Sequence, residues 1–142
     1  MKKLFTLPNL SILLITIVLF SCGGSQDIQK KRMTVTTNSD ESRDLFYEAI
    51  DTHSGLNWQK AENTLKSALA KDPNFITAKV LLNSPFVNNT DRQILSDIYN
   101  NDLEKVSEME AIFIKGWYEA ASGEGKEARE TFKDLTTKYP DI

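Results

Sequence analysis

Cysteine and histidine are almost missing from this chain, whose 142 residues hold one of each, Cys22 and His53. A lone Cys cannot close an internal disulfide, and one Cys with one His cannot build a Cys/His zinc site. Positive charge is also short, with 17 Lys and Arg against 20 Asp and Glu and a formal net charge of −3. Nucleic-acid binding needs clustered positive charge to displace counterions, so that class is excluded. Apolar runs of membrane-spanning length are absent as well. The run from Leu10 to Phe20 has 11 residues, against the roughly 20 that a spanning helix needs. A hydrophobic share of 40% is still enough for a packed core, and the length suits one domain.

What is present begins with an address. Lys2 and Lys3 precede the short apolar run, and small residues follow it, the layout of a cleavable export signal over residues 1–21. The segment Leu19-Phe20-Ser21-Cys22 resembles the bacterial lipobox, with an aliphatic residue three before the Cys and a small one just before it. That resemblance implies a Cys22 that is diacylated and then, after cleavage, acylated on its new amino terminus. Two or more acyl chains hold a membrane stably where one does not. No other cofactor is expected. Gly23-Gly24 lacks the Asp that retains lipoproteins in the inner membrane, which predicts sorting to the outer membrane. Asp27 stands alone before Lys30-Lys31-Arg32, so the periplasmic face is expected. Residues 22–41 read as a lipidated Cys followed by a flexible tether, rich in Gly, Ser, Gln, Thr and Asn and without apolar periodicity. Its basic triplet is either a headgroup contact or a solvated stretch of linker.

From residue 42 the pattern is helical and no alternating strand stands out. Leu45, Phe46, Ala49 and Ile50 recur at spacings of three and four, as do Ala61, Leu65, Ala68 and Leu69. The first run stops at His53-Ser54-Gly55, Asn57 offers a cap for the second, and Pro73 closes it. Capping boxes mark two further starts, Thr90-Asp91-Arg92-Gln93 and Ser107-Glu108-Met109-Glu110.

A period lies beneath this pattern. Ala49, Ala61, Leu65, Ala68 and Pro73 each have a counterpart 67 residues on, in Gly116, Ala128, Phe132, Leu135 and Pro140. The offset is about twice the ~34-residue period of the tetratricopeptide repeat, and these residues fall at its signature places. Trp58 takes the aromatic place at the start of a second helix, and Gly123 the turn between helices. The chain therefore resembles a bacterial tetratricopeptide-repeat lipoprotein. The resemblance implies an all-α fold of helix-turn-helix units at 42–75, 76–108 and 109–142. The middle unit is degenerate: Tyr99 matches the bulky position, Leu95 replaces the small one, and Pro85 cuts the first helix short, leaving a loop to about Asn89.

Catalytic constellations fail on inspection. Asp51, His53 and Ser54 sit together at one helix end, whereas a triad is assembled across a fold. Gly123-Glu124-Gly125-Lys126 lacks both the first Gly of a phosphate loop, where Ala120 stands, and its Ser or Thr, where Glu127 stands. No calcium-loop spacing occurs among the carboxylates, so no enzyme and no metal site are expected. The repeat resemblance instead implies a groove along the first helices that holds a protein or peptide partner. Carried over by position, it is lined by Arg43, Phe46, Ile50 and His53 in the first unit and Glu110, Phe113 and Trp117 in the third. The expected function is a non-enzymatic, membrane-anchored interaction module of the cell envelope. The alternative is an envelope protein with a small molecule or glycan in that groove. The last unit ends flush with the chain, at Asp141-Ile142, without the polar helix that usually covers a terminal repeat. That predicts an open apolar face around Phe132 and Leu135, available for self-association, or a shortened relative of longer proteins.

Overall fold

The computed structural model describes residues 31–54 and 57–141, so the export signal and Cys22 lie outside the described residues. Among the described residues six α-helices follow one another: α1 (Asp40–Ser54), α2 (Trp58–Lys71), α3 (Ile76–Leu82), α4 (Arg92–Asn101), α5 (Glu108–Ser122) and α6 (Gly125–Lys138). No strand occurs among the described residues. The fold is all-α and built of helix-turn-helix packing, as the periodicity predicts.

Local chemistry sets the boundaries. Ser39 opens α1, its hydroxyl accepting from the N–H of Ser42 at 3.1 Å; the helix thus begins two residues before the expected unit boundary. Asn57 caps α2 as expected, accepting from Lys60 at 3.1 Å. The capping box at Ser107 is present, with the Ser107 hydroxyl and the Glu110 carboxylate each serving the other's backbone. Thr90 does not cap α4. Asp91 does, accepting from the N–H groups of Gln93 and Ile94 at 3.0 and 3.1 Å, because an anion one residue nearer the helix end also answers its positive dipole. Gly123 ends α5 at φ +87°, a left-handed turn that residues with a Cβ rarely adopt.

Helix α1 packs along α2 and α5 along α6, while α3 leans on α2 and α4 on α5. One core joins Phe46 and Ala49 of α1, Ala61 and Leu65 of α2, Phe75, Ala78 and Leu81, and the short 3-10 turn Pro85–Val87. A second joins Val80, Leu95, Ile98, Ile114 and Ala121. Pro85 does stop the first helix of the middle unit, which runs only seven residues. The expected loop behind it is not idle chain, since Phe86 and Val87 are buried. Tyr99 of α4 stacks flat on Tyr118 of α5 at 4.5 Å.

The 67-residue offset also explains a pair of exchanges. Where the first unit has Ala49 and Leu65, the last has Gly116 and Phe132. A Cβ on Gly116 would lie 2.7 Å from the Phe132 ring, so the larger ring on one helix requires the smaller residue on the other. Gly116→Ala is expected to lose about 1 kcal/mol despite the better helix propensity of Ala, because overpacking costs more than propensity returns. Adding Phe132→Leu restores the pairing of the first unit and recovers the loss. Urea midpoints of both single variants and the double variant measure this.

Two expectations change here. The tether does not run free to residue 41: Val35 is buried and Met33 packs on the first core, and the chain from Lys31 belongs to the folded unit. The open apolar end is not open either. Leu135 is 4% exposed and Phe132 is partly covered by the rings of Phe113 and Trp117. The outward positions of α6 are instead Lys126, Glu127, Glu130, Lys133 and Asp134. Helix α6 therefore presents its own polar side, and Phe132 and Leu135 do not form an open apolar face.

Candidate functional site

The first helices of the outer hairpins, α1 and α5, are bridged by two pieces of the chain. At one end lies the extended segment before α1, at the other the turn Pro85–Val87. In the turn, Phe86 stacks on His53 of α1 at 3.9 Å and meets Trp117 of α5 edge-on at 5.8 Å. Trp58, 43% exposed, stands edge-on to His53 at 4.6 Å. Phe113 and Phe132 surround Trp117 at 6.2 and 5.5 Å. His53 Nε2 and Trp117 Nε1 are buried without a hydrogen-bond partner among the described residues.

In the extended segment the backbone is held by side chains of the helices. Tyr47 of α1 donates its hydroxyl to the Met33 carbonyl at 2.6 Å. Glu110, in the first turn of α5, accepts the Thr36 N–H at 2.8 Å and the Thr36 hydroxyl at 2.6 Å. The same carboxylate accepts from the Thr77 hydroxyl of α3 at 2.7 Å and the Ser107 N–H at 3.0 Å. Asp72, at the end of α2, accepts the Thr37 hydroxyl at 2.6 Å and the Asn38 N–H at 2.8 Å. Outside this pair of clamps, Arg32 reaches Asp51 at 2.6 Å and Lys31 reaches Asp141 at 2.7 Å, both pairs exposed.

The two clamping carboxylates are held ionised. Burial pushes Glu110 up, but the hydrogen bonds from Thr36, Thr77 and Ser107 outweigh it and leave its pKa below the ordinary value. The Thr37 hydroxyl and the Asn38 N–H hold Asp72 down in the same way, against a smaller effect of burial. Burial raises the pKa of Tyr47.

The seven residues assigned to the groove therefore divide. His53, Phe113 and Trp117 come together around Phe86. Ile50 is half-buried against the first core, and Arg43 pairs with Asp40 at 2.7 Å. Phe46 does not line an open surface. It is fully buried, with its ring 5.1 Å from Phe75 and 5.6 Å from Tyr47, because the segment before α1 and the corner at Phe75 close over it. Glu110 is also fully buried and faces this chain's own donors. Thr36, Asp72, Thr77 and Phe86 contribute without standing out in the sequence. The only signals were Met33 and Val35 two apart in a polar stretch, and an apolar pair behind Pro85.

Among the described residues no group of three His, Cys, Asp or Glu is placed to hold a metal ion, and no helix is long and apolar enough to cross a membrane. The fold and the bridged pair of helices define a class: a short helical-hairpin array with an aromatic and carboxylate-lined face. Comparison with family models, curated proteins and solved structures returns no match to the chain.

Proposed function

We propose that this chain is a non-enzymatic interaction module that holds an extended segment of a partner protein along α1 and α5. It is tethered to the bacterial envelope by acyl chains on Cys22, at the periplasmic face of the outer membrane. One observation carries the reading. An extended polypeptide lies across these helices, with backbone N–H groups at Thr36 and Asn38 bonded to helix carboxylates rather than to a strand. A surface that satisfies the backbone of one extended chain offers the same donors and acceptors to another. Toward the other end of the same helices, the rings of Trp58, Phe113 and Trp117 supply the apolar area from which interface anchors are made.

Crosslinking in the native envelope tests this, comparing the unaltered chain with Trp58→Ala, Phe113→Ala and Trp117→Ala. Circular dichroism melts show that each variant is folded, and Trp58, already exposed, has the least to lose. Protein adducts are expected to fall at least fivefold in the three variants. Cys22→Ser in the same experiment is expected to move the chain to the soluble fraction. Unchanged adducts in all three ring variants sink the groove reading. Capture of a small ligand in place of a protein would favour a carrier.

A further inference from the structure

The face assigned above to a partner already has an occupant, and its contacts describe what the face selects. Val35 enters the core, and the next two residues each present a hydroxyl to a carboxylate. Glu110 and Asp72 each take one hydroxyl and one backbone N–H. The backbone bonds are open to any sequence except proline, whereas the hydroxyl bonds favour Ser or Thr at two successive positions. Two ionised carboxylates on the floor of the site repel an acidic segment.

The segment is held by four hydrogen bonds to Glu110 and Asp72, by the Tyr47 bond to the Met33 carbonyl and by the packing of Val35 and Met33, and an incoming segment of like chemistry replaces these contacts in kind. The ion pairs of Lys31 and Arg32 are exposed and of the kind that contributes little. Val35 is the one fully inserted apolar side chain in the segment. When the segment leaves, Glu110 keeps Thr77 and Ser107, and Asp72 keeps the N–H of Asn74 at 3.0 Å. Neither carboxylate is then bare, but each has capacity for two more donors.

We infer that residues 33–38 are an exchangeable resident of the chain's own groove. The partner is a non-acidic, extended segment in which an apolar residue is followed by two Ser or Thr residues. That segment takes the places of Val35, Thr36 and Thr37 and frees the resident one. The inference rests on the groove reading above and adds the partner's chemistry and a link to the tether. Freeing residues 31–39 lengthens the connection to Cys22 by about 30 Å, at ~3.3 Å per extended residue. Being attached, the resident segment competes at an effective concentration on the order of millimolar, so it sets how strong a partner must be.

The test uses the purified full chain and a fluorescein-labelled synthetic peptide of residues 31–39, followed by anisotropy. Val35→Ser with Thr37→Val in the full chain loosens the resident segment and leaves both carboxylates in place. That variant is expected to bind the peptide at least tenfold tighter than the unaltered chain. A peptide carrying Thr36→Asp is expected not to bind. Native-state hydrogen exchange on the unaltered chain needs no variant. The amides of Thr36 and Asn38 are expected to exchange at least tenfold faster than those of Leu65 and Ile114. A folded variant that binds the peptide no tighter overturns the inference, as does exchange of Thr36 and Asn38 only with global unfolding. A dimer formed by swapping the segment between copies also overturns it, by making a second copy the occupant. Lost envelope adducts without peptide exchange remove this inference and leave the groove reading. Peptide exchange with adducts unchanged in every ring variant does the reverse.

Discussion

Phe46→Ala is expected to cost the domain about 4 kcal/mol, the middle of the range for emptying a buried phenylalanine site. The ring is fully buried and lies between Tyr47 and Phe75, in a core that also takes Val35 from the segment before α1. The segment, α1, α2, α3 and the turn Pro85–Val87 all meet in that core, so the site cannot collapse by moving one side chain. In a domain of about 100 residues such a loss lowers the melting temperature by roughly 20 °C. Chemical denaturation gives the free energy directly. A loss below about 1 kcal/mol, well under the usual cost of emptying such a site, together with lost envelope adducts would return Phe46 to the groove. This separates two roles that share one repeat position, since a partner contact is dispensable for folding and a core ring is not.

Glu110→Ala is expected to cost about 3 kcal/mol or more. The carboxylate accepts from Thr36 twice, from Thr77 and from Ser107, and hydrogen bonds to a charged group are worth about 1.5–3 kcal/mol each before the remaining groups relax. Removing it leaves the buried Thr77 hydroxyl without that acceptor and unties the segment before α1 from α5. Thr36→Val, which removes one hydroxyl and keeps the N–H, is expected to cost nearer 1 kcal/mol. Acid provides a second reading of the same contacts. Glu110 and Asp72 both have their folded pKa held below the ordinary carboxylate value, so the unfolded chain binds more protons in that window. Their stabilisation is complete above about pH 4.5 and is lost as pH falls through the depressed values. The unaltered chain should therefore lose stability below about pH 4, and Glu110→Ala should flatten that slope. Urea midpoints taken across this range decide it. An unchanged slope would remove Glu110 from the acid response.

The reach of the amino-acid sequence can be followed through particular residues. The spacing of Ala49, Ala61, Leu65 and Ala68 made two helices legible, because a core contact recurs once per helical turn and needs no knowledge of its partner. The five pairs at an offset of 67 carried the hairpin architecture for a similar reason, as equal packing problems receive similar residues. The exchange of Ala49 with Leu65 for Gly116 with Phe132 is the same solution at two sizes. The Ser107 box was readable because both partners lie within four residues. Asp91 caps α4 in place of the adjacent Thr90 because its carboxylate both accepts the free N–H groups and answers the helix dipole.

Local chemistry sets the helices, their caps, the break at Pro85 and the repeat that pairs them. Tertiary packing sets which first-helix residues stay accessible. Phe46 and Phe113 occupy equivalent places 67 residues apart, yet one is sealed in the core and the other is partly covered. The difference is made by chain that carries no periodicity. Residues 33–38 close over α1 and engage Glu110 across 74 positions, and Phe86 wedges between His53 and Trp117. A polar stretch with two apolar residues has no pattern to announce where it docks. Its place follows from two carboxylates, at 72 and 110, that come near it only once the helices have packed.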